Sequence, residues 1–172
     1  EDFGTGSDSS TISGWSKHED ATIVKSFTGS GEDTVSPNGG RFVKIAEDGS
    51  DGGSVDGWIC RTISSIGLSN LALSYYWRGD ADANSSDIGV VEYKTSGSCS
   101  DTSGWSNIES HDLSNDTSWS FHSENLPSAL NNSSFLLRFY NNSNEDDEYF
   151  RVDGALVSGT ASLDRGVLDG AL

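Results

Sequence analysis

Residues 134–160 read SFLLRFYNNSNEDDEYFRVDGALVSGT, and this stretch decides the fold class. Phe135, Leu137 and Phe139 alternate with Leu136, Arg138 and Tyr140. A period of two residues is that of a strand with one face in a core. An Asn, Ser and acidic segment, 141–147, follows, and a second apolar-rich run returns over 149–157. The pattern predicts a β-hairpin with an acidic tip. The rest of the chain reads as strands laid beside it.

Working outward, the same alternation recurs. Leu71, Leu73, Tyr75 and Trp77 share one face of a strand expected over 71–78. Further strands are expected over 21–28, 41–46, 58–64 and 88–95, and 105–113 with 118–126 as a second hairpin around Asn115-Asp116. Pro37-Asn38-Gly39-Gly40 and Gly67-Leu68-Ser69-Asn70 are turn signals. No segment shows a sustained helical period with a cap. About nine short strands joined by polar turns predict an all-β chain, a single antiparallel β-sandwich of jelly-roll type over residues 1–160. Residues 161–172 differ. They hold Leu163, Val167, Leu168 and Leu172 but no aromatic, and Asp153-Gly154-Ala155-Leu156 recurs as Asp169-Gly170-Ala171-Leu172. This tail reads as a linker or as a strand that pairs outside its own domain.

Composition narrows the function. With 172 residues the chain is one domain with a real core. The apolar fraction of 33% is low, but the apolar residues are patterned and aromatics are plentiful, which argues against disorder. A net charge of -17 excludes nucleic acid, whose binders must neutralise phosphates, and disfavours anionic lipid. It suits calcium, salty surroundings or a surface kept soluble by self-repulsion. No apolar run is long enough to span a bilayer as a helix. Glu1 rather than Met opens the sequence, which reads as a mature exported chain without its signal. Cys60 and Cys99 form one disulfide in an oxidising compartment or remain two independent thiols. N-x-Ser/Thr sequons stand at Asn84, Asn115, Asn131, Asn132 and Asn141, relevant where the source glycosylates.

The acidic loops are the clearest local chemistry. In DADANSSD, residues 80–87, Asp80, Asp82 and Asn84 place oxygen ligands on alternate residues, with Asp87 closing the loop. Hard Ca²⁺ asks for such ligands, although the Gly and terminal Glu of an EF-hand are missing. If each strand from Leu71 onward reverses direction, the turns after 71–78, 105–113 and 134–140 lie at one end. That gathers Asp80, Asp82, Asp87, Asp116, Asp146 and Asp147 at one pole, where like charges cost energy unless a cation or water screens them. Among the aromatics, Trp105 and Trp119 flank polar loops and are the pair expected to stack on sugar rings. Enzyme chemistry lacks a signature: His18, His111 and His122 have no nucleophile motif around them. Arg78-Gly79-Asp80 is an RGD tripeptide at an expected turn.

The strings SPNGGRFVKI (36–45), GWICRTIS (57–64), LSNLALSYYWRGDADANSSDIGVVEY (68–93), LSNDTSW (113–119) and 135–160 together resemble a jelly-roll domain common in secreted bacterial proteins. It is related in shape to galactose-binding-like, MAM-like and carbohydrate-binding sandwich domains. The resemblance covers nearly all of residues 1–160. It implies a non-catalytic module of surface proteins, adhesins or secreted hydrolases. It also implies a structural calcium shared between an acid near the first strand, Glu1 or Asp2, and Asp153 on the last. Such domains usually carry a second acid where this chain has Gly154. The expectation drawn from all of this is a non-enzymatic extracellular structural protein, a Ca²⁺-stabilised subunit of a fibre or surface assembly. Copies would join by strand exchange through 161–172 or 1–12. The alternative is a carbohydrate-binding or adhesive module of a larger secreted protein, with glycans as partners.

Overall fold

Strand boundaries follow the alternation of apolar and polar residues. The computed structural model describes residues 12–18, 21–25, 36–37, 40–46, 57–115, 117–143 and 148–161. In chain order they form β1 (Ser16–Lys17), β2 (Ala21–Lys25), β3 (Arg41–Ala46), β4 (Trp58–Ser64), β5 (Leu68–Arg78), β6 (Ile88–Lys94), β7 (Ser106–Asp112), β8 (Ser120–Asn125), β9 (Ser134–Asn142) and β10 (Tyr149–Ala161). One 3₁₀ turn, Ser128–Leu130, precedes β9. β3 and β4 coincide with the expected runs. β5 starts earlier than expected, because Leu68 and Ser69 pair with Ala161 and Thr160 at the far end of β10.

The strands build two antiparallel sheets, β1-β4-β9-β6-β7 and β2-β3-β10-β5-β8. This is an all-β sandwich of jelly-roll type. The core lies between the sheets. Ile59, Val91, Leu137 and Phe139 of the first sheet meet Val43, Leu73, Tyr75 and Phe150 of the second, all buried. Each such side chain contributes roughly 1.5–3 kcal/mol by leaving water.

Residues 134–160 do not form a hairpin. β9 is hydrogen-bonded to β4 and β6, whereas β10 is hydrogen-bonded to β3 and β5. The chain arches from one sheet to the other. Phe139 and Phe150 meet across the core, ring centroids 6.4 Å apart, where a hairpin would have joined backbones. The expected hairpin of 105–113 and 118–126 is likewise an arch: β7 pairs with β6, and β8 with β5. Hairpin and arch both reverse the chain and share the period of two. Only the identity of the backbone partner separates them.

Buried polar groups fix these crossings. Asn141 is fully buried on β9, and its side-chain N–H groups donate to Ile45 O of β3 (3.1 Å) and Glu148 O (2.9 Å), tying the sheets together. Leu113 holds the loop after β5: its O accepts from Asp80 N at 3.0 Å and its N donates to Asp87 O at 2.9 Å. A Cβ at Gly79 would lie 1.9 Å from Leu113 O, so only glycine allows this approach. Cys60 of β4 and Cys99 are disulfide-bonded, which pins the loop 95–105 to the first sheet and fits an oxidising compartment.

Candidate functional site

A groove of about 370 Å³ opens between the sheets. Its floor is Leu73 and Leu137, from opposite sheets. Trp15 forms one wall, set just ahead of β1 and packed on Phe139 with centroids 6.0 Å apart. Ala155 and Val157 of β10 form the other. The strand can turn these residues into the groove because its register with β5 slips between Asp153 and Leu156, where Gly154 takes φ +63°. Arg61 and Ile63 of β4 share the face of core residue Ile59 and border the groove on one side, the Arg61 guanidinium being its polar group there, and Leu156 stands exposed on the other side. An apolar floor, one indole ring and a guanidinium at the edge suit a ligand with one apolar and one hydroxyl-bearing face.

A second surface lies on the outer face of the first sheet. Arg138 of β9 is buried and sits with its guanidinium 4.1 Å from the Trp105 ring centroid and 5.0 Å from that of Tyr140. It is also ion-paired with Glu92 of β6. Burial pushes the Glu92 carboxyl above its usual range even though Arg138 pulls it down. The disulfide-pinned loop closes over this group. Trp105 Nε1 donates to Asp101 O at 2.7 Å, and Lys94 Nζ donates to Asp101 Oδ2 at 2.7 Å. Those bonds from Lys94 and from the Ser98 amide hold Asp101 below the usual carboxylate range. Trp105 is thus engaged on one face by Arg138.

Trp119 packs elsewhere, edge-on to Phe42 of β3 in the second sheet, with centroids 5.3 Å apart. Trp105 and Trp119 therefore do not form one sugar-binding surface. The period-two pattern placed both beside polar loops but carried no information about which sheet each loop covers.

At the acidic pole, Asp80 and Asp87 are buried while Asp82 and Asn84 are exposed. Asp80 Oδ2 lies 2.9 Å from Arg151 Nη1, both side chains fully buried or nearly so. Nη1 also donates to Gly79 O at 2.7 Å, and the Asp80 contact lies off the hydrogen-bonding direction, so charge rather than a directed bond joins the pair. Asp87 Oδ2 accepts from Asn84 N, and Asn84 Oδ1 accepts from Ser86 N. The described acids of this loop do not converge at metal-ligand spacing. Asp116, Asp146 and Asp147 lie outside the described residues, as do Glu1 and Asp2. Asp153 is fully buried, and its Oδ1 accepts from Gly154 N at 2.7 Å. The RGD tripeptide is not displayed, since Arg78, Gly79 and Asp80 are all buried. Among the sequons, Asn84, Asn115 and Asn132 are exposed and Asn131 is half-buried. Asn141 is a correction: its amide nitrogen is buried and already donates two hydrogen bonds, so it offers no attachment point.

No family model matches the chain, and no curated protein does. Solved structures do. The chain superposes on TmCBM61, determined in complex with β-1,4-galactotriose, with a TM-score of 0.58 and 7% identity over 88% of this chain and 92% of that one. The K1 cleaved adhesin domain of Lys-gingipain from Porphyromonas gingivalis W83 gives a TM-score of 0.62 and 13% identity over 94% and 97%. The CBM22-1 xylan-binding domain of Xyn10C from Paenibacillus barcinonensis gives 0.54 and 10% over 93% and 92%. The likeness is one of fold. It bears out the resemblance to carbohydrate-binding and adhesin sandwiches, and at these identities it transfers no residue.

Trp15 and Arg61 are the groove residues that sequence reading missed. Trp15 stands alone in a polar, Gly- and Ser-rich segment, so no alternation marked its facing. Arg61 shares the face of Ile59 and Ile63, so a two-residue period does mark it as the charged residue on the inward face of β4. Of the arms expected to exchange between copies, 1–12 and 161–172, residues 1–11 and 162–172 lie outside the described residues, while Ile12 is buried in this chain's own core and Ala161 pairs with Leu68 of β5.

Proposed function

We propose that this chain is a non-catalytic carbohydrate-binding or adhesive module working outside the cell. The observation that carries the reading is the groove beside Trp15, with its apolar floor and the Arg61 guanidinium at its edge. A pyranose presents a C–H face for an aromatic ring and hydroxyls for polar partners. The neighbouring folds include modules described with β-1,4-galactotriose and with xylan, which supports glycan as the ligand class. The disulfide supports an extracellular setting. Titration calorimetry and tryptophan emission with β-1,4-galacto- and xylo-oligosaccharides test it. Binding should weaken at least about tenfold in Trp15→Ala, a loss of about 1.4 kcal/mol, the scale of one aromatic contact. Absence of heat and of any emission change across a broad glycan panel overturns it.

A fibre subunit is the second reading, and the groove's mostly apolar lining favours it. Leucines of a donated strand, from 161–172 of another copy, would fill the floor beside exposed Leu156. Negative-stain microscopy of the full chain against one ending at Thr160 separates the readings. Filaments that vanish on truncation establish exchange, and monodisperse particles in both leave the glycan reading.

A further inference from the structure

The edge strands β7 and β8 come from different sheets and meet along one side of the sandwich. Beside Ile108, which packs against the core, they carry polar residues at inward positions where interior strands carry aliphatic or aromatic ones. Glu109 of β7 stands opposite Val91, while His122 and Glu124 of β8 stand opposite Tyr75 and Leu73. All three are half-buried, and one ligand atom from each lies within 4.8 Å of the other two.

His122 Nε2 is buried and makes no hydrogen bond. Glu109 Oε2 is 3.7 Å from it, too far for a hydrogen bond. That separation is close to the roughly 3.3 Å kept by two ligands of one tetrahedral ion bound at about 2.0–2.1 Å. The carboxylate is turned this way because its other oxygen, Oε1, accepts from Ser110 N at 3.0 Å. A second layer backs the group. The Tyr75 hydroxyl and His111 Nε2 share a hydrogen bond at 2.6 Å, and His111 is stacked on Trp77 with centroids 4.1 Å apart.

We propose that Glu109, His122 and Glu124 form a site for one divalent first-row transition ion of the Zn²⁺ class, bridging the two sheets. An imidazole nitrogen with two carboxylates selects such an ion over Ca²⁺ and Mg²⁺, which take all-oxygen shells. The fourth position faces solvent and takes water. The ion joins β7 to β8, edges that otherwise share no backbone ladder. The site is independent of the groove and of the glycan reading.

The test uses the full chain, freed of metal and titrated with Zn²⁺ by calorimetry, with Mg²⁺ and Ca²⁺ as controls. One Zn²⁺ binds per chain, and at about a hundred times its dissociation constant it raises Tm by roughly 5–10 °C. His122→Ala and the near-isosteric Glu124→Gln each lose at least about tenfold in affinity, on the scale of lost metal contacts. The imidazole nitrogen resonance of His122 Nε2 in the unsubstituted protein shifts on adding Zn²⁺, a readout that needs no variant to fold. A His122 resonance that stays unmoved at saturating Zn²⁺ overturns the proposal. So does Zn²⁺ binding left unchanged by both variants, the sign of diffuse binding to a surface of net charge -17.

Discussion

At the scale of single residues, Arg151 is the largest fully buried side chain among the described residues. Its guanidinium is fully buried on β10 and faces Asp80 at 2.9 Å. Removing Asp80 takes an opposite charge away from a guanidinium held in low dielectric. Asp80→Ala is therefore expected to cost about 3–5 kcal/mol in urea unfolding, whereas an exposed acid such as Asp82 should change stability by less than about 0.5 kcal/mol. Asp101 makes the opposite kind of contribution. Its folded pKa lies below the ordinary 3.8, so the stabilisation is in place above that value and is lost as pH falls through the folded pKa. The Tm difference between the parent and Asp101→Asn should be present at neutral pH and close in that acid window. The sequence showed Asp80 as one of several like charges seeking a cation. It could not show Arg151 as the answering charge, because the two are far apart along the chain and meet only through sheet packing.

At the scale of elements, loops decide more than strands. The Cys60–Cys99 bond spans 39 residues and anchors the loop 95–105 over Arg138. Chain-entropy reasoning for a loop of that length gives about 4 kcal/mol. Replacing both cysteines by alanine should lower unfolding free energy by an amount of that order and expose Trp105 to quenchers. Gly79 is the other control point. A methyl group there meets Leu113 backbone, which cannot yield without moving the β7–β8 arch. Gly79→Ala should cost more than about 3 kcal/mol or abolish soluble expression, whereas Gly67→Ala, open around its Cβ but at φ +78°, should cost roughly 1–2 kcal/mol, seen as a smaller loss of Tm. β3 and β4 were legible to the residue, because each is a short apolar-rich run bounded by turn signals or loops. The arches were not, since periodicity reports which residues face inward and is silent on which sheet they join.

At the scale of the whole molecule, net charge and topology dominate. Self-repulsion among charges summing to -17 is screened as the Debye length shrinks from about 30 Å at 0.01 M salt to about 3 Å at 1 M. Tm should therefore rise with NaCl over that range, and a flat response would mean that the acids are already locally balanced. Nearly every strand pairs with one distant in sequence, as β4 with β9 and β3 with β10. Such contacts close large loops before they stabilise anything, so refolding after dilution from urea should be slow for this size, on the millisecond-to-second scale.

The sequence by itself determined the all-β class, most strand positions and the inward face of the most regular strands, and its net charge of -17 weighed against nucleic acid. Those properties are local or additive: a two-residue period and a sum of charges. Only the tertiary structure decided that Trp105 and Trp119 lie on different sheets, that Asp80 meets Arg151, and that Trp15 walls a groove. It alone also brought Glu109, His122 and Glu124 together at the mouth of the sandwich. Each of these depends on which strand crosses to which sheet, and that choice is made by the packing of side chains from remote segments.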